Sequence, residues 1–213
     1  MESCQEFKVK TLCDGRRYTV RNHRDKFFFP GQWDKFMEKV KENQKFTFEF
    51  LLLTGARINE ARNVTVADCD LERKRIILRV TKVKASKGER NSRPRIIPIS
   101  SKLVRKIKER IVKNDLKHDS YLGILSTPAA NIALKKALQR AGIVDYYMFS
   151  VHNIRKTLEC WLMSLGVDGL KITAHIGHSL SVAAGHYISA DVLSWEEKKH
   201  IRDIIGDLYE NRI

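Results

Sequence analysis

The chain has 213 residues, 43% of them hydrophobic, which is enough for one large domain with a small appendage. Its 40 Lys and Arg against 25 Asp and Glu give a formal charge of +15, spread along the whole length, which favours a polyanionic partner, most often nucleic acid. No apolar run approaches the ~20 residues of a transmembrane helix, and the opening MESCQEFKVK lacks the apolar segment of a signal peptide, so we expect a cytoplasmic protein without a membrane partner.

The first 27 residues predict a short basic hairpin or extension. Residues 7–12 and 17–20 alternate apolar and polar side chains around Asp14-Gly15, which is a strong short-range hairpin signal. The segment is too short to bury a core of its own. We therefore divide the chain into this extension, residues 1–27, and a main domain, residues 28–213.

Helical periodicity opens the main domain. It predicts a first helix from Gln32 to about Glu42 and a second from Lys45 to about Asn63. Arg57 falls one position off the apolar stripe of the second helix, with Glu60 one turn on. The small residues of Gly55-Ala56, just before Arg57, let another element approach closely.

A strand, a basic turn and a returning strand follow. Arg75 to Val80 and Arg95 to Ile99 read as the two strands of a hairpin, joined by a polar turn over residues 82–93. A flexible positive tip of this kind suits a phosphate backbone, although a solvated loop is the plain alternative. The basic residues of the turn are Lys82, Lys84, Lys87, Arg90 and Arg93.

Three further helices are predicted at Lys102 to about Asn114, Ala129 to Arg140 and Trp195 to Tyr209. We therefore predict an α+β fold that is mainly α-helical, with a small antiparallel β-sheet. The last helix offers an apolar face for assembly with other copies, formed by Ile201, Ile204, Ile205 and Leu208.

The segment from Val151 to Ser189 holds the chain's most informative residues. His152 and Arg155 are three residues apart on the first turn of a predicted helix that Gly166 ends. His178 follows a short helix, roughly Gly169 to Ile176, and Tyr187 comes nine residues later. Arginine and histidine suit a phosphate, and a tyrosine hydroxyl can act as a covalent nucleophile once it loses its proton.

The same residues make a poor metal site, because no carboxylate lies among them. The four cysteines form no CxxC pair, and Cys4, Cys13 and His23 fit no usual zinc spacing. We predict no metal and no cofactor.

Taken together, these motifs resemble the catalytic domain of tyrosine recombinases, the phage integrase family. The resemblance covers roughly residues 28 to 200, in the style of archaeal or mobile-element integrases. It consists of TGARINEARNVTVADCDLE, the strand–basic turn–strand, HNIR, GVDGLKITAHIGHS and Tyr187, in the family's order.

The resemblance implies a site-specific DNA recombinase, an integrase that cleaves and rejoins double-stranded DNA through a covalent 3′-phosphotyrosyl intermediate, without metal or ATP. It further implies an oligomer on DNA, a tetramer, held through the C-terminal helix. Carried over by position, the catalytic residues are Arg57, Lys82, His152, Arg155, His178 and Tyr187, with Glu60 supporting the first arginine. Lys84 and Lys87 remain alternatives for the lysine, and the expected DNA contacts are Lys84, Lys87, Arg90 and Arg93.

Two departures from the family pattern stand out. HNIR has Asn153 where an aspartate is common, and residues 1–27 are too short for the helical domain that usually clamps the far side of the DNA. Two other functions stay open at this point. One is DNA relaxation of the type IB topoisomerase kind, and the other is a non-catalytic DNA-binding regulator that keeps the fold.

Overall fold

The computed structural model of the chain describes residues 8–11, 17–20, 26–79, 94–177 and 193–210. These parts contain eight α-helices and two small antiparallel sheets, so the predicted mainly helical α+β class is confirmed. The helices are α1 Pro30–Lys39, α2 Glu42–Thr54, α3 Ile58–Arg62, α4 Ser101–Lys113, α5 Thr127–Arg140, α6 Val151–Ser164, α7 Gly169–Ile176 and α8 Trp195–Ile205. Two 3-10 turns lie at Val66–Asp68 and Tyr146–Met148.

The strands form one hairpin and one three-stranded sheet. Strand β1 (Lys8–Thr11) pairs with β2 (Arg17–Val20), and the order in the second sheet is β3 (Cys69–Asp70), β4 (Arg75–Leu78), β5 (Arg95–Pro98). Both predicted strand pairs are therefore confirmed. The turn of residues 82–93 lies outside the described residues, and the division of the chain at residue 27 stays a prediction.

Helix α6 is the central element of the core. All its residues are buried except His152 and Met163, as expected of a helix that is surrounded by others. The indole of Trp161 donates a hydrogen bond to the Phe28 carbonyl at 2.9 Å, which fixes the start of the main domain to α6. Around Phe28 the rings of Trp33, Phe36 and Phe149 pack with centroids 4.6–5.5 Å away, within the range that aromatic pairs prefer.

The second predicted helix is interrupted, which corrects the expectation of one helix through to Asn63. Helix α2 ends at Thr54 because Gly55 adopts the left-handed conformation, with φ 57°, and α3 begins only at Ile58. A Cβ on Gly55 would lie 2.6 Å from Ile176 Cδ1 and 3.1 Å from Leu158 Cδ2. The missing side chain thus lets α6 and α7 pack against the break. Arg57 consequently stands at the N-cap of α3, not on the side of a long helix.

Helix α8 packs against α1 and α6 of its own chain. Ile201 and Ile205 are fully buried there. After the helix, Asp207 accepts hydrogen bonds from the Ser101 backbone at 2.6 Å and from Lys74 Nζ at 3.0 Å. The apolar stripe that we predicted as an assembly surface is therefore part of the chain's own core. Within the parts of the chain that the structure describes, no helix is both long and apolar enough to cross a membrane.

Candidate active site

Arg57 and Glu60 form the first part of the site. The Arg57 backbone donates to Glu60 Oε2 at 2.9 Å, and Arg57 Nη1 donates to Glu60 Oε1 at 2.9 Å. The Glu60 side chain is 2% exposed and the Arg57 side chain 46% exposed. A buried carboxylate thus orients a guanidinium that still reaches the solvent.

Arg95, the first residue of β5, is a member of this cluster that the sequence did not identify. Its Nη1 and Nη2 donate to the two Glu60 oxygens at 3.0 and 2.7 Å, and its Nε donates to the His175 carbonyl at 3.1 Å. Strand alternation gives only a partial signal, because it places Arg95 on the same face as Ile97 without showing which face is buried. Arg95 shares the sheet face of Ile97, which is fully buried, while Ile96 points out to solvent.

The two arginines keep Glu60 ionised. Burial alone raises the pKa of a carboxyl group. Here the hydrogen bonds and positive charge of Arg95, with the hydrogen bonds of Arg57, outweigh burial and lower the Glu60 pKa from 4.5 to about 2. The group is therefore a carboxylate at neutral pH.

The start of α6 supplies the second part of the site. The Asn153 side-chain oxygen accepts from the Ser150 backbone at 2.8 Å and from its hydroxyl at 2.9 Å, which caps the helix. The Asn153 amide nitrogen donates to the Lys26 carbonyl at 2.9 Å. An ionised aspartate could cap the helix in the same way but has no proton for that carbonyl. The asparagine of HNIR therefore suits its surroundings in this chain.

Arg155 is buried and lies within the electrostatic influence of Arg57. The residue is only 4% exposed, and its Nη1 donates to the Gly55 carbonyl at 2.8 Å. Among the described residues its Nη2 has no hydrogen-bond partner. Burial, together with the positive charges of Arg57 and Arg95, lowers the pKa of Arg155 to about 9, so it remains charged at neutral pH.

His152 lies on the exposed side of the same helical turn. Partial burial of the ring and the positive charges of Arg155 and Arg57 lower the pKa of His152 below its ordinary value of 6.5. The imidazole is thus neutral at neutral pH and able to accept a proton.

A second histidine, His175 on α7, connects the end of α2 to Tyr209 next to the site. Its Nε2 lies 3.1 Å from the Thr54 carbonyl and its Nδ1 lies 3.0 Å from the Tyr209 hydroxyl. A carbonyl can only accept, so Nε2 carries the proton and Nδ1 accepts from the tyrosine. Burial lowers the pKa of His175 to about 4 and raises that of Tyr209 to about 12, so both stay neutral as structural groups.

The structure thus brings together Arg57, Glu60, His152 and Arg155 of the predicted set. The remaining predicted site residues lie outside the described part of the chain; they are Lys82, Lys84, Lys87, Arg90, Arg93, His178 and Tyr187. Gly177, directly before His178, lies against Arg95: a Cβ there would be 3.0 Å from its Nε. Within residues 26–79, 94–177 and 193–210, no group of three His, Cys, Asp or Glu could hold a metal ion.

This helical architecture with its small sheet is the fold of a tyrosine recombinase catalytic domain. The chain belongs to the phage integrase family, whose profile matches residues 26–192. No curated protein matches the sequence.

Similar solved structures share the fold at low sequence identity. A Tn1549 transposon integrase in complex with transposon right end DNA aligns with TM-score 0.66 and 16% identity, over 91% of this chain and 70% of that one. XerA recombinase aligns with TM-score 0.60 and 17% identity, over 84% of this chain and 64% of that one. XerH site-specific recombinase bound to difH substrate aligns with TM-score 0.58 and 17% identity, over 83% of this chain and 55% of that one. The chain thus spans between 55% and 70% of the length of these structures.

Proposed function

We propose that this chain is a site-specific DNA recombinase that cleaves and rejoins double-stranded DNA through Tyr187. The observation that carries the proposal is the buried guanidinium of Arg155, whose Nη2 has no partner among the described residues. Membership of the phage integrase family supports the reaction class. The formal charge of +15 supports a polyanionic substrate.

A phosphate oxygen is the partner that best fits Arg155. A buried N–H without an acceptor costs roughly 1–3 kcal/mol, and more when the group is charged. Arg57 adds a second, half-exposed guanidinium to the same cluster. The two positive charges repel each other, and a bound anion would offset that repulsion. The non-bridging oxygens of a phosphodiester would satisfy both arginines, and would do so more strongly as negative charge builds in the transition state.

The chemistry follows from the residue types. The Tyr187 oxygen would attack phosphorus, a phosphotyrosyl bond to the 3′ strand would form, and the bond to the 5′ oxygen would break. Neutral His152 would accept the tyrosine proton, His178 would donate a hydrogen bond to the phosphate, and Lys82 would protonate the departing 5′ oxygen. A 5′-hydroxyl of a second strand would reverse the step, so the phosphodiester energy is kept and neither ATP nor a metal is required.

Assembly on DNA, as a tetramer, is part of the proposal. The apolar stripe of α8 is buried in its own chain, with Ile201 and Ile205 fully covered. Association through that stripe would therefore require the helix to leave its own core. Mass photometry of the protein on a duplex with two sites tests the tetramer.

A nicked duplex that traps the covalent intermediate tests the reaction. We expect an SDS-stable protein–DNA adduct that forms in excess EDTA, is lost in Tyr187→Phe, and persists in the matched control Tyr147→Phe, whose ring is exposed. DNA binding should survive in both variants. An adduct that persists in Tyr187→Phe would show that another tyrosine is the nucleophile, and strict Mg²⁺ dependence would remove the mechanism.

The nicked duplex and a supercoiled plasmid together separate the alternatives. A regulator would bind DNA without any adduct, whereas a topoisomerase would relax supercoiled DNA as a monomer without joining two sites.

The lysine assignment has its own test. If Lys82 is the general acid, Lys82→Ala should slow cleavage by about a hundredfold or more, and a substrate with 5′-bridging sulfur should restore the rate, because that leaving group needs no proton. The same behaviour in Lys84→Ala or Lys87→Ala would move the assignment.

A further inference from the structure

The Arg95 guanidinium is held by hydrogen bonds to other parts of the protein. Its side chain is 14% exposed. Three of its N–H groups bind protein acceptors, two of them the Glu60 carboxylate and one the His175 carbonyl. An arginine has five N–H donors in a fixed fork. Because three of them are bound, the Arg95 guanidinium is held by Glu60 on one side and by the His175 carbonyl on another. It has little left to offer a phosphate, unlike Arg57 and Arg155.

The charges around Glu60 show what Arg95 contributes. With Arg57 alone, the carboxylate and the guanidinium would form a neutral pair. Arg95 supplies a second positive charge through a two-pronged contact, the strong form of such pairs. The three groups together carry a net charge of +1. Arg57 is thus oriented by Glu60 without being neutralised by it.

Arg95 also reaches the other end of the site. Its Nε bonds to the His175 carbonyl near the end of α7. Gly177 follows in the left-handed conformation, with φ 77°, and a side chain there would meet the Arg95 guanidinium. His178 is the next residue in the chain. One guanidinium therefore fixes the carboxylate that orients Arg57 and the backbone from which His178 departs.

Resting on the proposed recombinase function, we propose that Arg95 is a positioning residue for the cleavage step. It acts by holding Glu60, and through it Arg57, in the arrangement that binds the scissile phosphate, and by holding the end of α7 before His178. It does not contact the DNA itself.

Arg79, directly after strand β4, provides a matched control. Its Nε and Nη2 both donate to Asp68 Oδ1, at 3.0 and 2.7 Å, and Asp68 is buried like Glu60. Arg95→Lys and Arg79→Lys each keep the charge and lose the planar fork. In single-turnover cleavage of the nicked duplex at saturating DNA, Arg95→Lys should be slowed by about 10- to 100-fold, and Arg79→Lys by less than about threefold. The DNA concentration for half-maximal rate should change by less than about threefold in both.

A double variant shows whether Arg95 acts through Arg57. If it does, the rate loss in Arg57→Ala with Arg95→Lys should be clearly smaller than the product of the two single losses, because Arg57 is already gone and only the hold of Arg95 on α7 is left to lose. Two rate losses that multiply would mean that Arg95 acts independently, and the inference would be wrong.

The side-chain Nε–H signal of Arg57 gives a measurement that needs no cleavage. The signal is assigned by its loss in Arg57→Lys, and its ¹⁵N order parameter reports how rigidly the guanidinium is held. We expect a rigid side chain in the wild type and in Arg79→Lys, and a fall below about 0.6, the flexible range, in Arg95→Lys. An unchanged order parameter would overturn the inference. A fall in a protein that forms no adduct would uphold the positioning and refute the proposed function instead.

Discussion

The buried carboxylate of Glu60 makes the stability of the protein depend on pH in a way that one substitution reveals. The folded pKa of about 2 lies below the ordinary value of 4.5. A lowered carboxyl pKa contributes stability above the unfolded pKa, and this contribution is lost as the pH falls towards the folded pKa. Glu60→Gln removes the titration while keeping the size of the side chain.

The expected magnitude follows from the two pKa values. A shift from 4.5 to about 2 corresponds to on the order of 3 kcal/mol of stability at pH 7, at about 1.4 kcal/mol per unit. At pH 3.5 the wild type should retain on the order of 2 kcal/mol of this contribution. The gap in free energy of unfolding between wild type and Glu60→Gln should therefore narrow by ~1.5 kcal/mol between pH 7 and pH 3.5.

Urea unfolding at the two pH values, followed by circular dichroism, measures this gap. Asp207, whose pKa is also about 2, titrates in both proteins, so its contribution cancels in the difference. Glu72→Gln removes an exposed carboxylate and serves as the control, with a gap that stays within about 0.5 kcal/mol. A gap between wild type and Glu60→Gln that does not change with pH would refute the reasoning, because Glu60 would then not owe its stabilising role to its charge.

Three further predictions concern stability. Gly55→Ala should lower the free energy of unfolding by about 2 kcal/mol or more, since φ is 57° and Ile176 leaves no room for a methyl group. In the control Gly31→Ala, where nothing lies within 4 Å of the added Cβ, the free energy of unfolding should change by less than about 1 kcal/mol. Equal effects of the two substitutions in urea unfolding would contradict this. Ile205→Ala should cost about 2–5 kcal/mol in the same assay if α8 is part of the core, whereas a negligible loss would mean that the helix docks weakly. Asp207→Asn should raise amide hydrogen exchange in α8, because it weakens hydrogen bonds to the start of α4; unchanged exchange would show that this contact does not hold the helix.

Several elements could be predicted because local chemistry alone decides them. The predicted bounds of α7, Gly169 to Ile176, agree with the structure. Asp168 accepts from two backbone N–H groups at its start, and Gly177 ends it in the left-handed conformation. Such caps act over a few residues and can be read directly from a sequence.

The break at Gly55 carries the same glycine signal as the end of α7, but the apolar spacing beyond it indicates an uninterrupted helix. Ile58 and Ala61 continue the helical spacing of apolar residues by coincidence, so periodicity runs through a point where the backbone turns. The left-handed conformation of Gly55 ends α2, and Ile176 and Leu158 pack into the space that a side chain would occupy there. That is a tertiary contact between residues about a hundred positions apart.

Arg95 escaped prediction for a related reason. Two isoleucines follow it, and alternation assigns a face only when one of the neighbours is polar. Its partners Glu60 and His175 lie 35 and 80 residues away. The supporting part of the site therefore emerges only from the folded chain, whereas Arg57, His152 and Arg155 could be placed by motif.

The docking of α8 has a consequence for how far the proposed nucleophile can travel. Leu193, at the start of the docked segment, is buried, and Tyr187 precedes it by six residues. A fully extended chain advances at most ~3.6 Å per residue, so Tyr187 stays within about 22 Å of Leu193 while the helix remains docked. A phosphate beyond the combined reach of this tether and the tyrosine side chain comes within range only after the helix undocks and uncovers its apolar stripe. The six-residue tether to the docked segment thus limits the reach of the proposed nucleophile for as long as α8 stays on the core.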